Sequence, residues 1–180
     1  MKIYLVHGWG GDNTTPFFKY ITKNLPEVEI IAPNMPNTDN PKINEWVGFL
    51  EEKVKENGID NKTYLIGHSI GCQTILRFLE KSNQKIAGCI FIGGWLKLTL
   101  NDKEEERIST PWLESPIDFE KVRKNCDSFL AIFSDNDPYV PLENIKLFQE
   151  KLNAKTILKK GQEHFIEVKE IPEILEAIEK

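Results

Sequence analysis

Histidine and cysteine are scarce in this sequence, three of each in 180 residues. Cys72, Cys89 and Cys126 are odd in number and none sits in a Cys-x-x-Cys pair, so neither a disulfide framework nor a zinc or dithiol site is expected. Reduced thiols and a cytoplasmic location are the simplest expectation. No apolar run approaches the length of a membrane span, and residues 3–6 are too short for the core of a signal peptide. A basic excess is missing too. The 23 Lys and Arg face 28 Asp and Glu, a net charge of −5. Nucleic acid or an anionic membrane surface calls for the opposite sign, so neither is an expected partner. Repeats, low-complexity tracts and linkers are also lacking, and residues 1–180 read as one domain.

What is present is a regular alternation. Six short runs, at 3–6, 28–31, 63–66, 89–92, 129–133 and 155–158, are rich in β-branched and aliphatic residues. Near-continuous apolar runs of this length fit strands buried on both faces of a parallel sheet. Segments of helical period lie between most of them. Ile43, Trp46, Val47, Leu50 and Val54 form one apolar stripe, with Pro41 expected in the first turn and Gly58 just past the end. Residues 70–79 are apolar nearly all round, and further helices are expected at 142–152 and 171–178. Segments 8–15, 32–40 and 93–115 read as irregular, the last long enough to serve as a short lid loop. The alternation predicts a single-domain, three-layer α/β fold with about six mostly parallel strands flanked by helices.

Gly67-His68-Ser69-Ile70-Gly71 has the form G-x-S-x-G and stands between a predicted strand and a predicted helix. Chance alone produces the pattern in a chain of this size on the order of 5% of the time. Its strand–turn–helix setting is what makes it a nucleophile elbow, in which a sharp turn lifts the serine Oγ clear of the sheet. A nucleophilic serine needs a base, and the base an orienting acid. Three histidines allow elimination. His68 lies inside the elbow, with its side chain expected to point away and support the turn. His7 ends the first strand and is expected to shape the loop there. His164, in the loop after the last predicted strand, remains as the base. A loop histidine is usually just solvated; its place after a serine elbow reverses that reading.

For the acid, Ser134-Asp135-Asn136-Asp137-Pro138 follows the fifth predicted strand. Such a string is often only a turn. The order Ser, Asp, His along the chain is nevertheless that of one hydrolase type. Asp137 is preferred to Asp135 because Pro138 stiffens its backbone. One oxyanion donor is expected at the N–H of Ile70 and a second at Trp9, in the glycine-rich loop His7-Gly8-Trp9-Gly10-Gly11. Those glycines lack the G-x-G-x-x-G spacing of a dinucleotide loop.

At this point the chain resembles the α/β-hydrolase superfamily, and within it the small serine hydrolases similar to retinoblastoma-binding protein 9. The resemblance runs nearly end to end, on His7-Gly8, the Gly67–Gly71 elbow, Ser134-x-x-Asp137-Pro138, His164 and the segment Asp118-Phe119-Glu120-Lys121-Val122. It implies a triad on Ser69, Asp137 and His164 and a carboxylesterase or aminoacyl-ester hydrolase activity on a small ester or amide substrate. It implies no metal and no organic cofactor. The name of that branch suggests a protein partner, but no acidic Leu-x-Cys-x-Glu-type docking motif occurs here. Segment 93–115 is too short for the helical cap of larger relatives.

Trp9, Trp95, Leu96, Leu98, Trp112 and Leu113 fall near the predicted C-terminal edge of the sheet. Trp95, Trp112 and Leu113 are expected to line a substrate pocket, against the plainer reading that they close over the core. Glu104-Glu105-Glu106 reads as a solvated face, against the weaker reading that it attracts cationic substrates such as amino-acid esters. A binding protein that keeps this fold without turnover is the rival of a different class, and a lyase is the rival among enzymes. Dehalogenase or epoxide-hydrolase chemistry requires Asp where Ser69 stands and is set aside.

Overall fold

The computed structural model describes residues 1–178, and the expected domain end at Glu179 and Lys180 lies outside the described residues. Six strands form one sheet: β1 (Lys2–Val6), β2 (Glu29–Ile31), β3 (Thr63–His68), β4 (Ile86–Ile92), β5 (Cys126–Ser134) and β6 (Lys155–Lys159). Their order is β2-β1-β3-β4-β5-β6, and every pairing is parallel. Between them run α1 (Pro16–Asn24), α2 (Ile43–Asn57), α3 (Ile70–Lys81), α4 (Lys103–Glu114), α5 (Phe119–Lys124) and α6 (Glu143–Leu152), with α7 (Pro172–Ile178) last.

Strand side chains alternate between two cores. On one face Tyr4, Val6, Leu65, Cys89, Phe91, Ala131 and Phe133 pack with residues of α2, α3, α5 and α6. On the other, Ile3, Leu5, Ile66, Ile90, Ile92 and Ile132 pack with α1 and α7. Helices cover both faces, which is why the strand runs are apolar throughout instead of alternating with polar residues. None of the helices described is long and apolar enough to cross a membrane.

Two local expectations are corrected. Pro41 is not in a first helical turn: α2 starts at Ile43 with Lys42 as its N-cap. The Pro41 carbonyl instead accepts the Trp112 indole N–H at 3.0 Å. Segment 93–115 is not a loop throughout, since its second half is α4. Asp102 caps that helix by accepting the N–H groups of Glu104 and Glu105, and three glutamates in its first turn suit the helix dipole. Pro111 inside the helix and the charge run hid it from the periodicity. Helix α1 has Pro16 at its start and buries Phe17, Phe18 and Ile21.

The sheet reverses direction of growth at β1, with β2 on one side and β3 on the other. Crevices open at such switch points, beyond the carboxyl ends of the strands. Here α3 crosses so close to β1 that a Cβ on Gly71 would run into the Val6 carbonyl oxygen and lie 2.7 Å from that of His7. Gly71→Ala should therefore destabilise the protein by about 3 kcal/mol or more, because two backbones cannot yield as a side chain would. Urea unfolding of the variant checks this, and a loss below about 1 kcal/mol would contradict the close crossing.

Candidate active site

Ser69 joins β3 to α3 with φ 52° and ψ −119°, a strained conformation for a residue with a side chain. Gly67 makes the turn feasible, since a Cβ there would stand 2.8 Å from the Cys72 nitrogen. Ser69 Oγ lies 2.8 Å from His164 Nε2, and His164 Nδ1 lies 2.7 Å from Asp137 Oδ2. Hydrogen-bond logic assigns the protons. Asp137 accepts the Nδ1–H, so Nε2 is left as the acceptor facing the serine hydroxyl. The Asp137 side chain is 2% exposed, and its other oxygen accepts the N–H groups of Tyr139 (2.9 Å) and Val140 (3.0 Å). The carboxylate is thereby aimed before any substrate arrives.

The loop carrying His164 is tied to the loop carrying Asp137 residue against residue. Asp135 Oδ1 accepts the Gly161 N–H (2.8 Å), Ser134 Oγ that of Gln162 (3.0 Å) and Asn136 Oδ1 that of Glu163 (2.9 Å). These bonds hold a stretch in which Gly161, Glu163 and Phe165 all have positive φ. Phe165 is wholly buried and anchors the far end. Asp135 thus braces the loop without touching His164.

The profile of the serine hydrolase family matches residues 3–176. The chain belongs to that family. It is 27% identical over 172 residues to YdeN of Bacillus subtilis (strain 168), covering 92% of this chain and 86% of that protein. To the serine hydrolase RBBP9 of Rattus norvegicus it is 25% identical over 169 residues, covering 91% and 87%. The crystal structure of the B. subtilis ydeN product superposes with a TM-score of 0.87 over 99% of both chains, at 24% identity. Est1E of Butyrivibrio proteoclasticus with bound ferulic acid gives 0.75 over 98% and 86%, at 16% identity. These likenesses place the fold among the α/β hydrolases.

In this serine hydrolase a cavity of about 300 Å³ opens beside Ser69 and His164, at the β1/β3 switch point. Trp9, Trp95, Leu98, Leu100, Tyr139 and Ile166 supply its apolar wall. Trp95 borders this cavity, its carbonyl held by the Gln73 side-chain amide at 2.7 Å. Trp112 and Leu113 are not in the lining. Trp112 is 1% exposed, its indole N–H spent on Pro41, and Leu113 packs against the larger core. Both sit at the C-terminal end of α4, which Arg77 clamps by donating to the carbonyls of Trp112 (2.6 Å) and Ser115 (2.9 Å). Only the N-terminal part of α4 reaches the cavity, through Glu105 and Ser109.

Two backbone donors border the cavity without a protein partner among the described residues. Ile70 N–H is the first of α3, where no intrahelical acceptor exists. Trp9 N–H belongs to a peptide whose carbonyl, on Gly8, accepts from His7 Nδ1 (2.8 Å) and Gly11 N–H (3.1 Å). In a trans peptide the N–H points opposite to the carbonyl, so these two bonds fix where the Trp9 N–H faces. His7 Nε2 in turn accepts the Met35 N–H at 2.9 Å.

His68 does not point away, as the sequence suggested. It borders the cavity and its Nε2–H donates to the His164 carbonyl at 2.8 Å, a contact 96 residues apart in sequence that no local pattern signals. No group of three His, Cys, Asp or Glu among the described residues is placed to hold a metal.

Burial, with His164 adding to it, pushes the His68 imidazole down to about 3, and burial lowers that of His7 as well. Both are therefore neutral in the fold, whereas in the unfolded chain they take up a proton near pH 6.5. Acidification below that value protonates the unfolded chain first, so stability is full above it and drains by about 1.4 kcal/mol per pH unit for each group, until the folded value is passed. Between pH 7 and 5, His68→Gln should lose about 1–2 kcal/mol less than the parent in urea unfolding. Equal losses would contradict a neutral, buried His68.

Proposed function

We propose that this protein hydrolyses a small ester or amide through an acyl-enzyme, with Ser69 as nucleophile, His164 as general base and Asp137 as the acid that orients it. The observation that carries the reading is the unbroken pair of contacts from Ser69 Oγ to His164 Nε2 and from Nδ1 to a buried Asp137. Ser69 Oγ attacks the carbonyl carbon while its proton passes to His164 Nε2. Negative charge grows on the carbonyl oxygen, and the N–H groups of Ile70 and Trp9 receive it without reorganising. The imidazolium, steadied by Asp137, gives its proton to the leaving alcohol or amine. Water, deprotonated by the same imidazole, then releases the acid and restores Ser69. Neutral imidazole is the form that can accept the serine proton.

A reducing, cytoplasmic setting suits the three free thiols, all of them buried. Burial pushes the Cys72 thiol up, away from reactive thiolate.

Kinetics on a p-nitrophenyl ester test the assignment. Ser69→Ala and His164→Ala should each cost about a thousandfold or more in kcat, and together scarcely more than either alone. Asp137→Asn should cost about a hundredfold or more, since it favours the wrong imidazole tautomer. Asp135→Asn keeps an acceptor for Gly161 and should stay within about threefold. Retention of a tenth of kcat in Ser69→Ala rejects the nucleophile, and reversed ranks of the two Asn variants reject Asp137.

A further inference from the structure

Residues 95–99, in the segment that the sequence reads as a lid loop, are pinned along their main chain. Gln73 Nε2 donates to the Trp95 carbonyl at 2.7 Å. Asn144 Oδ1 accepts the N–H groups of Leu96 (2.7 Å) and Lys97 (3.0 Å). Its Nδ2 donates to the Lys97 and Pro141 carbonyls, both at 2.9 Å. Thr99 N–H reaches the Tyr139 carbonyl at 2.8 Å. The Asn144 amide has two lone pairs and two hydrogens, and these contacts use them all. Donors on one side and carbonyls on the other also leave it a single orientation.

Asparagine is a poor helix former, yet Asn144 is the second residue of α6 and 0% exposed. Its partners account for it, since it ties the start of α6 to a stretch with no strand or helix of its own. That stretch is a wall of the cavity, because Trp95 and Leu98 border the space beside Ser69. Leu98 stands between two clasps, Asn144 at 96–97 and Tyr139 at 99. The Tyr139 N–H in turn donates to Asp137 Oδ1 at 2.9 Å, so the wall is held to the loop that carries the acid. A wall fixed through its backbone does not swing aside, and it sets a limit on whatever lies against it.

We propose that Asn144 is a positioning residue for substrate selection. By holding residues 96 and 97 it makes Trp95 and Leu98 a rigid wall that limits the length of the apolar chain beside Ser69. This rests on the hydrolase reading above and adds what sets its selectivity. The chain can belong to the acyl or to the alcohol part, and two ester series separate those sources. p-Nitrophenyl esters from acetate to decanoate lengthen the acyl part, and ethyl to decyl acetates lengthen the alcohol.

In one series kcat/KM should rise by about two- to fourfold per methylene, as apolar burial gives, then fall about tenfold or more within two further methylenes. Asn144→Ser is too short to reach both sides but lets water pair the freed groups. In this variant the ratio across that step should shrink below about threefold, whichever way the separate rates move. A role in stability alone scales both esters alike and leaves the ratio unchanged. Leu98→Ala, at a half-buried position, should move the step about one or two carbons further, and it decides the matter if Asn144→Ser does not fold. Two series without a step overturn the proposal, and so does a step that persists in Asn144→Ser or stays in place in Leu98→Ala. If no ester is hydrolysed while Ser69 still reacts with a fluorophosphonate, the selectivity role falls and the hydrolase reading stands. If neither occurs, both fall.

Discussion

The hydrogen bonds between residues 134–137 and 161–164 are what the site depends on. Without them His164 would sit in a loop with three positive-φ residues, at Gly161, Glu163 and Phe165, and with every reason to relax. Three side chains of one loop take three consecutive N–H groups of the other, and the fourth, Asp137, takes the imidazole itself. From the opposite side His68 grips the His164 carbonyl. His164 is therefore fixed through its main chain before its side chain is considered. Rigid placement of this kind, more than the presence of the three residue types, is what lets one group act on another at hydrogen-bond distance.

A second set of contacts does the same for the loop after β1. His7 ties the Gly8 carbonyl to the Met35 N–H, Gly10 N–H reaches the Thr38 carbonyl at 2.9 Å, and the Trp9 indole reaches Asp39. Residues 35–41 are held in turn by two buried tryptophans, Trp46 on Pro36 (2.7 Å) and Trp112 on Pro41. Trp112 thus links α4 to the segment that orders the Trp9 peptide. The sequence marks it as an aromatic near the site, which is correct in neighbourhood and wrong in direction. It serves the cavity from behind, as a brace.

How much of this is legible in sequence depends on how far each contact reaches. The strands are legible because both faces of the sheet are covered, so their runs are apolar without interruption. Ser69 is legible because strand, sharp turn and helix are adjacent in the chain. Asp137 was separable from Asp135 only by the stiffness of Pro138, whereas the structure separates them by partner: Gly161 for one, His164 for the other. The role of His68 depends on a partner 96 residues away and leaves no local trace. Helix α4 was hidden by Pro111 and by glutamates that suit its N-terminus. Asp102 and Glu105 at cap and third position were the available signal, and Glu105 is also a residue that borders the cavity.

The central claim is that Ser69 is an activated nucleophile and not merely a serine in a strained turn. Covalent labelling tests it most directly, because an ordinary hydroxyl does not attack phosphorus at a useful rate in neutral water. Incubation with a fluorophosphonate followed by intact mass and peptide mapping should show one adduct per chain, on Ser69, formed far more slowly in His164→Ala. A chain that stays unlabelled while folded, or that is labelled elsewhere with Ser69 free, would contradict the account and leave a binding protein on a hydrolase fold.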